Sequence, residues 1–277
     1  MDKIIYTSDL HLNQNLDKSK LLTEIVLVAK MQADYLNNIG ATYYIINGDI
    51  SWDLEHIKVY LRILKENFKG KVLRTLGNHC LSKSLTYQEY IDFDSEDYLP
   101  TNPIVLEDKI IIGNSGFFDF TYSHKFTDYK YIADNLMREV HTRYFKNEEI
   151  DYIQIKDLLP QLLNKSQKIL ESIDTVNKKL IFVTHYMPCD KFLTTKTDEK
   201  SLYKNSFMGS NKLKDFIDKN HFDECYFGHT HRRIPETEID GVLYRCNPVG
   251  TLKEWEKWQY ADKDLMSQWK ATLLEVK

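Results

Sequence analysis

The sequence has few of the residues that mark disordered, fibrous or disulfide-stapled proteins. Among its 277 residues there are only ten glycines, six prolines and four cysteines, while 42% are hydrophobic. This composition excludes collagen-like and low-complexity chains and is sufficient for a folded core. The four cysteines form no CxxC pair, and the chain is far longer than the small secreted domains that need disulfides, so we expect free thiols.

The sequence also lacks a long hydrophobic run and a large excess of charge of one sign. No stretch approaches the roughly 18 apolar residues of a membrane span, and the first apolar run is too short for a signal peptide. We therefore expect a cytoplasmic protein without a membrane partner. The net charge of −4 gives no overall attraction to nucleic acid, so a phosphate-bearing ligand must be held by a local site.

Short apolar runs alternate with amphipathic segments in the first hundred residues. The apolar runs predict strands at about 3–9, 42–48 and 71–78. Between them, apolar positions recur at helical spacing at about 18–38 and 57–68. Alternating strands and helices are typical of an α/β sheet, whose ligands gather at the carboxyl ends of the strands.

The second half of the sequence combines β-rich runs with a long polar stretch. Two runs around Glu107 and Asp108 predict a hairpin, and Asp240-Gly241 predicts another. The polar stretch at about 117–178 has helical spacing, and we expect a helical insertion there. We further expect a strand from Lys179, a loop over 190–205, a short helix near 212–219, a strand at 223–229 and a closing strand at 269–276.

Polar blocks directly follow five of the predicted strands. In chain order they are DLH at 9–11, GD at 48–49, GNH at 77–79, the single His185 and GHTH at 228–231. Because strand ends of this kind lie along one rim, we expect these blocks to converge. An isolated histidine is ordinarily structural, but the joint placement of histidines and carboxylates favours metal ligation.

Carboxylate, imidazole and amide groups together favour a particular class of metal site. This mixed set suits Mn²⁺, Fe²⁺ or Zn²⁺, whereas an all-oxygen set suits Mg²⁺ or Ca²⁺ and thiolates suit structural zinc. Two such ions about 3.5–4 Å apart, bridged by a carboxylate, can share a hydroxide that attacks phosphorus in line. The residues therefore predict a phosphoester hydrolase with two divalent metal cofactors.

The five blocks are similar to the pattern of the calcineurin-like metallophosphoesterases, which is DxH, GD, GNH, a lone His and GHxH. The resemblance extends from near the start of the chain to residue 231. It implies an α/β fold, a four-layer sandwich of two mixed β-sheets flanked by helices, with the dinuclear site at one rim. We expect a single domain over 1–277 that includes the helical insertion.

The resemblance also implies a role for each matching residue. It assigns Asp9, His11 and His231 to one ion, Asn78, His185 and His229 to the other, and Asp49 as the bridge. His79 is implied to be catalytic, facing the scissile phosphate as general acid or charge stabiliser. Arg232, directly after the last block, is a candidate to bind a phosphate oxygen, and the alternative is a solvated charge at a strand end.

One position departs from the family pattern. Where the family has an acidic residue after GNH, this chain has Cys80, which can orient His79 only weakly. Either another carboxylate replaces it, Asp53 being the nearest in sequence, or the leaving group needs less acid assistance.

The expected substrate is a small phosphomonoester or phosphodiester, including nucleotides. A nuclease of the same fold is the less favoured enzymatic alternative, because the chain carries no basic excess. A non-catalytic interaction scaffold is also less favoured, because all seven ligand positions and His79 are present. The metal identity and the oligomeric state do not follow from the sequence.

Overall fold

The computed structural model describes residues 2–81, 84–123, 136–146, 149–196 and 198–277. The strands are β1 (Ile4–Ser8), β2 (Tyr43–Asn47), β3 (Lys71–Thr75), β4 (Ile104–Val105), β5 (Lys109–Asn114), β6 (Lys179–Thr184), β7 (Glu224–Phe227), β8 (Ile234–Ile239), β9 (Val242–Cys246) and β10 (Leu274–Val276). The α-helices are α1 (Leu12–Asn15), α2 (Leu21–Asn38), α3 (Leu54–Asn67), α4 (Asn78–Leu81), α5 (Tyr87–Ile91), α6 (Met137–Arg143), α7 (Tyr152–Glu171), α8 (Glu199–Asn205), α9 (Asn211–Lys219), α10 (Leu252–Lys257) and α11 (Leu265–Thr272).

These strands form two mixed sheets. The first has the order β10-β1-β2-β3, in which β1, β2 and β3 are parallel and β10 is antiparallel to β1. The second has the order β4-β5-β6-β7-β9-β8, with antiparallel edge strands β4 and β8 around four parallel strands. Two mixed sheets flanked by helices are the fold that the resemblance implies, and this expectation is confirmed.

The two sheets pack face to face. Ile45 on β2 and Tyr6 on β1 belong to the same buried cluster as Tyr226 on β7, and the two tyrosine rings lie 5.1 Å apart. Residues of the opposite alternation, such as Tyr44 and Ile46, pack in the other cluster together with the helices. Because both faces of each sheet are covered, the central strands read as nearly continuous apolar runs.

The helices begin where the sequence supplies a capping residue. Asp53 accepts hydrogen bonds from the backbone N–H groups of Glu55 and His56 at the start of α3. Asp151 and Gln154 form a reciprocal capping box at the start of α7. The predicted hairpins are both present, and Asp240 and Gly241 have the positive φ angles, 52° and 82°, that a tight two-residue turn requires.

Two predictions of local structure are wrong. Residues 269–272 belong to α11, and only Leu274–Val276 forms the closing strand. The helix places the fully buried Trp269 so that its indole N–H donates to the Tyr44 hydroxyl at 2.8 Å. The predicted loop over 190–205 contains α8, which Asp198 caps by accepting from the N–H of Ser201.

The predicted insertion at about 117–178 falls partly outside the described residues, which omit 124–135 and 147–148. Within it, α7 connects the parallel strands β5 and β6. Asn114 at the end of β5 donates from Nδ2 to Ser166 Oγ at 2.9 Å, so α7 packs on the second sheet. The remainder of the insertion, and the single domain over 1–277, stay predictions.

None of the described helices is both long and apolar enough to cross a lipid bilayer.

Candidate metal centre

Each polar block lies directly after the strand that was predicted to precede it. Asp9 and His11 follow β1, Asp49 follows β2, Asn78 and His79 begin α4 after β3, His185 follows β6, and His229 and His231 follow β7. The blocks therefore come from three strands of the first sheet and two of the second. Their side chains meet in one buried cluster at the rim between the sheets.

Five of these residues have a left-handed backbone conformation. The φ angles are 57° at Asp9, 44° at His11, 43° at Asp49, 66° at His229 and 52° at His231. This region is uncommon for residues other than glycine, although Asp and His enter it more readily than most. Such strain is concentrated at functional sites, where the surrounding structure maintains it. No sequence pattern predicted it.

A first group of side chains contains two carboxylates and two imidazoles. Ligand atoms of Asp9, His11, Asp49 and His231 all lie within 4.8 Å of one another. The two Nε2 atoms of His11 and His231 are 2.7 Å apart, and each lies 3.6–3.9 Å from a carboxylate oxygen. These separations are compatible with metal–ligand bonds of about 2.0–2.2 Å to one shared ion.

A second group shares Asp49 with the first. Ligand atoms of Asp49, His185 and His229 also lie within 4.8 Å of one another. Asn78 adds an amide oxygen, because its Oδ1 lies 3.2 Å from His185 Nε2. Carbonyl groups fix both rings, since His185 Nδ1 lies 3.2 Å from the oxygen of Asn47 and His229 Nε2 lies 3.0 Å from that of Phe207. The other nitrogen of each ring is thus available for a metal.

The two oxygens of Asp49 have different surroundings. Oδ1 accepts a hydrogen bond from the backbone N–H of His79 at 2.8 Å. Oδ2 lies 3.3 Å from His185 Nε2 and 3.9 Å from His11 Nε2, and it is buried without a hydrogen-bond partner among the described residues. Asp49 Oδ2 therefore faces a histidine of each ligand group.

Glycine allows the backbone to approach these side chains closely. A Cβ atom on Gly77 would lie 2.2 Å from Asp49 Oδ1, and one on Gly48 would lie 2.2 Å from His185 Nδ1. Gly48 also has a φ of 71°, which disfavours any other residue. The glycines of the GD and GNH blocks are thus explained by the packing around the cluster.

Burial and mutual proximity shift the pKa values in the cluster. Burial, with His231 as a neighbour, lowers the pKa of His11 well below its usual range, and burial beside His185 lowers that of His229 to about 3. Burial opposes protonation of His185 as well, but the Asp49 carboxylate outweighs it and raises the pKa to about 9. His11 and His229 are therefore neutral at pH 7, the form that ligates metals.

Glu254 is a site residue that the sequence reasoning missed. Its Oε2 lies 3.4 Å from His231 Nδ1, on the side of the ring opposite the cluster. It belongs to the capping box that starts α10 with Thr251, and the TxxE spacing of these two residues is a signal that could have found it. A carboxylate behind a ligating histidine orients the ring and raises its basicity.

His79 lies beside the cluster, with its ring 4.8 Å from that of His11. Trp52, which is 47% exposed, lies near the same ring at 6.3 Å between ring centres. Cys80 is buried in the core, where burial raises the pKa of its thiol. Asp53 is engaged as the N-cap of α3, so it does not take the place of the family's acidic residue.

Arg232 lines a cavity of about 1040 Å³ that begins at His229 and His231. Its guanidinium donates to the carbonyl of Phe192. The neighbouring Arg233 points elsewhere, because it stacks on the ring of Tyr260 at 4.0 Å and donates to Gln268.

The residues of the cluster fit two divalent cations. The fit rests on the inward-facing carboxylates of Asp9 and Asp49, whose ligand atoms lie within 4.8 Å of those of His11 and His231. It also rests on the Nε2 atoms of His11 and His231, which face each other at 2.7 Å. Cations between these groups would relieve this arrangement. The mixed oxygen and nitrogen donors suit first-row transition metals.

Two solved structures are similar to this chain in fold. A phosphopantetheinyl hydrolase (PptH) from Mycobacterium tuberculosis is similar in structure at 16% sequence identity and a TM-score of 0.69, over 99% of this chain and 95% of that chain. A dimetal phosphatase from Danio rerio is similar at 9% identity and a TM-score of 0.48, over 89% of this chain and 87% of that chain. A comparison with curated protein sequences gives no match.

The sequence matches the calcineurin-like phosphoesterases over residues 2–233, which include every polar block described above. The chain therefore belongs to the calcineurin-like phosphoesterase family.

Proposed function

We propose that this protein is a phosphoesterase that hydrolyses phosphomonoesters or phosphodiesters with two divalent metal ions as cofactors. The observation that carries this proposal is the pair of ligand groups that share Asp49. A site of this kind holds two ions side by side, and in-line displacement at phosphorus is the chemistry for which paired ions are suited. Manganese, iron and zinc are the candidate metals.

In the proposed site, Asp9, His11 and His231 would hold the first ion, Asn78, His185 and His229 would hold the second, and Asp49 would bridge the two. When bound, the ions would supply Lewis-acid activation of water and of the phosphoryl oxygens. The Asn47 and Phe207 carbonyls keep the rings of His185 and His229 in place. Asp49 is kept in place by the N–H of His79.

His79 is the proposed proton donor to the departing oxygen. It lies beside the metal ligand His11 but takes no part in the two ligand groups. The ring of Trp52 lies 6.3 Å from that of His79, inclined by 22°, in a chain where Cys80 stands in place of the acidic residue. We also propose that Arg232 binds a non-bridging phosphate oxygen, because it lines the cavity next to His231.

The proposed substrates are small phosphoesters, including nucleotides, and the cavity beside the cluster has the volume for a ligand of that size. A phosphopantetheinyl ester is a second candidate. The structural similarity to the phosphopantetheinyl hydrolase extends over almost the whole of both chains, and the cavity combines aromatic with basic side chains. Incubation with such an ester and mass spectrometry of the products tests this candidate. Nucleic-acid cleavage stays the less favoured alternative, and a cytoplasmic location stays a prediction. The oligomeric state does not follow from the sequence.

The deciding experiment measures metal content and turnover together. The purified protein is treated with a chelator, reloaded with Mn²⁺ and assayed with p-nitrophenyl phosphate and bis-p-nitrophenyl phosphate. We expect two ions per chain and turnover that requires them. Asp49→Asn should lose at least one ion and lower turnover by orders of magnitude, because it removes charge from both ligand groups.

The matched control is Asp34→Asn, which makes the same chemical change at an exposed position of α2. It should behave like the wild type. Undiminished turnover by Asp49→Asn would refute the proposed site. A folded wild type that retains no ions and turns over neither ester would instead favour the scaffold alternative.

A further inference from the structure

The cavity beside the metal centre carries more positive charge than the rest of the molecule. Its basic lining residues are Arg143, Lys196, Lys200, Lys204, Arg232 and Lys257. Its acidic lining residues are Glu139, Asp198 and Glu254. This local excess occurs in a chain whose net charge is −4, so it is a property of the cavity and not of the whole surface.

Other groups already engage the acidic side chains of the cavity. Glu139 pairs with Arg143 at 2.7 Å, and Glu254 pairs with His231. Asp198 accepts hydrogen bonds from the N–H and the hydroxyl of Ser201 at the start of α8. Among the described residues, no carboxylate lies within ion-pair distance of the four lysines. Lys257 Nζ lies over the Trp258 ring at 5.7 Å from its centre, and the other three lysines have no ion-pair partner among the described residues. The ammonium groups can therefore bind an anionic ligand.

The lysines converge on the cavity from separate parts of the fold. Lys200 and Lys204 lie one turn apart on α8, and Lys196 precedes that helix. Like charges at this spacing repel each other on a helix surface. Lys257 reaches the same cavity from the last turn of α10. An anion between these elements would interact with several ammonium groups at once.

Apolar and aromatic side chains line the same cavity. They include Met187, Tyr144, Phe207 and Trp258. Tyr144 and Phe207 are buried, with parallel rings 6.5 Å apart, and the Phe207 carbonyl contacts His229. A ligand that fills the cavity from the metal centre would therefore contact aromatic and thioether groups as well as ammonium groups.

From this arrangement we propose that the lysines of α8, with Lys196 and Lys257, form a second anion-binding subsite for a phosphate remote from the scissile one. The proposal rests on the proposed function, because it assumes that the scissile phosphoester binds at the metal centre. The substrate class is then a phosphoester of a partly apolar or aromatic group that carries a further phosphate.

The test uses two chromogenic esters that differ only in the remote phosphate. They are the p-nitrophenyl ester of thymidine 5′-phosphate and the same ester with a 3′-phosphate. For the wild type reloaded with Mn²⁺, we expect kcat/KM to be about tenfold higher for the 3′-phosphorylated ester, mainly through KM, as two exposed ion pairs would give. In the Lys200→Gln/Lys204→Gln variant, the ratio should fall towards one.

The control is Lys30→Gln/Lys168→Gln, which removes the same charge from exposed positions on α2 and α7 outside the cavity. It should keep the wild-type ratio. Equal kcat/KM values for the two esters in the wild type, or an equal loss of preference in both double variants, would overturn the subsite.

A binding measurement separates the subsite from the proposed function. If neither ester is hydrolysed, the proposed function fails, and calorimetric binding of thymidine 3′,5′-bisphosphate still tests the subsite. Weaker binding in the α8 variant than in the control would support it. Equal binding in the two variants would refute it.

Discussion

His231 shows how one imidazole can be held from two sides. Its Nε2 faces Asp9 and His11, while its Nδ1 lies 3.4 Å from Glu254. Burial opposes the ionisation of Glu254, but the hydrogen bond with His231 outweighs it and lowers the pKa of the carboxyl to about 2. Glu254 is therefore anionic at neutral pH, and it stabilises a protonated Nδ1 with Nε2 free for a metal.

We predict that Glu254→Gln lowers the affinity for Mn²⁺ by about 10- to 100-fold, because the ring loses its anionic partner. Titration calorimetry of the metal-free protein measures this. The control, Thr251→Ala, disrupts the same capping box but keeps the carboxylate, and should cost about 1 kcal/mol of stability without that loss of affinity. An equal loss in both variants would mean that Glu254 acts only through the start of α10.

The residue types of the centre could be predicted from the sequence, but their backbone conformation could not. The blocks at Asp9, Asp49 and His185 stand out because each follows an apolar run. The left-handed φ angles result from loops that must turn a side chain into the rim, which only tertiary packing specifies. The role of Glu254 could not be predicted from the sequence, because its partner His231 lies on a different segment and its own helix is short.

Among the secondary-structure elements, β3 shows how an edge strand is protected. It is the outer strand of the first sheet, and the segment around Asp97 covers it. The N–H of Arg74 donates to the Asp97 carbonyl at 2.7 Å, and the Arg74 Nε pairs with the Asp97 carboxylate at 3.1 Å. Lys65 on α3 pairs with the other carboxylate oxygen at 2.7 Å. The edge is therefore unavailable to another chain.

The Asp97 contacts predict how stability depends on pH. Burial opposes the charged carboxylate, but Arg74 and Lys65 outweigh it and lower the pKa of Asp97 below its usual value of 3.8. A lowered pKa means that the stabilisation is complete above about pH 4 and is lost as the pH falls through the folded-state value. Asp97→Asn should therefore cost about 3 kcal/mol at pH 7 and progressively less below pH 4.

Urea unfolding of the wild type and of Asp97→Asn from pH 7 to pH 3 measures this difference. Asp108→Asn is the control, since it removes a carboxylate that is largely exposed and pairs with Lys109 at the surface. A free-energy difference for Asp97→Asn that stays constant with pH would contradict the assignment.

The elements also show where a local pattern is insufficient. Helix α2 was predictable because 18 residues give several repeats of its buried stripe. Helix α11 has only eight residues and is followed after one residue by β10, so the sequence predicts a single strand over both elements. The burial of Trp269 against Tyr44 favours the helix at this segment, and that contact joins residues far apart in the sequence. For α8, the Asp198 cap was the only local signal in a segment rich in lysine and threonine.

For the molecule as a whole, the centre lies where the two sheets meet. Asp9, Asp49 and Asn78 follow strands of the first sheet, whereas His185 and His229 follow strands of the second. Each proposed ion would have ligands from both sheets. Metal binding should therefore stabilise the packing of the sheets against each other as well as the loops.

We predict that Mn²⁺ at about 100 times its Kd raises the Tm of the chelator-treated protein by about 5–10 °C, because only the folded chain presents both ligand groups. Thermal denaturation with and without the ion measures the shift. Asp49→Asn should show a smaller shift and Asp34→Asn the full one. Equal shifts in the two variants would mean that the ion binds elsewhere.

The pairing of β1 with β10 has a consequence for the order in which this fold can form. Residues 4–6 align with residues 274–276, near the opposite end of the sequence. During synthesis, one edge of β1 has no partner until residues 274–276 leave the ribosome, and loop closure over such a separation slows folding. A nascent chain would therefore carry a growing parallel sheet with one open edge, a state in which chaperone binding competes with aggregation.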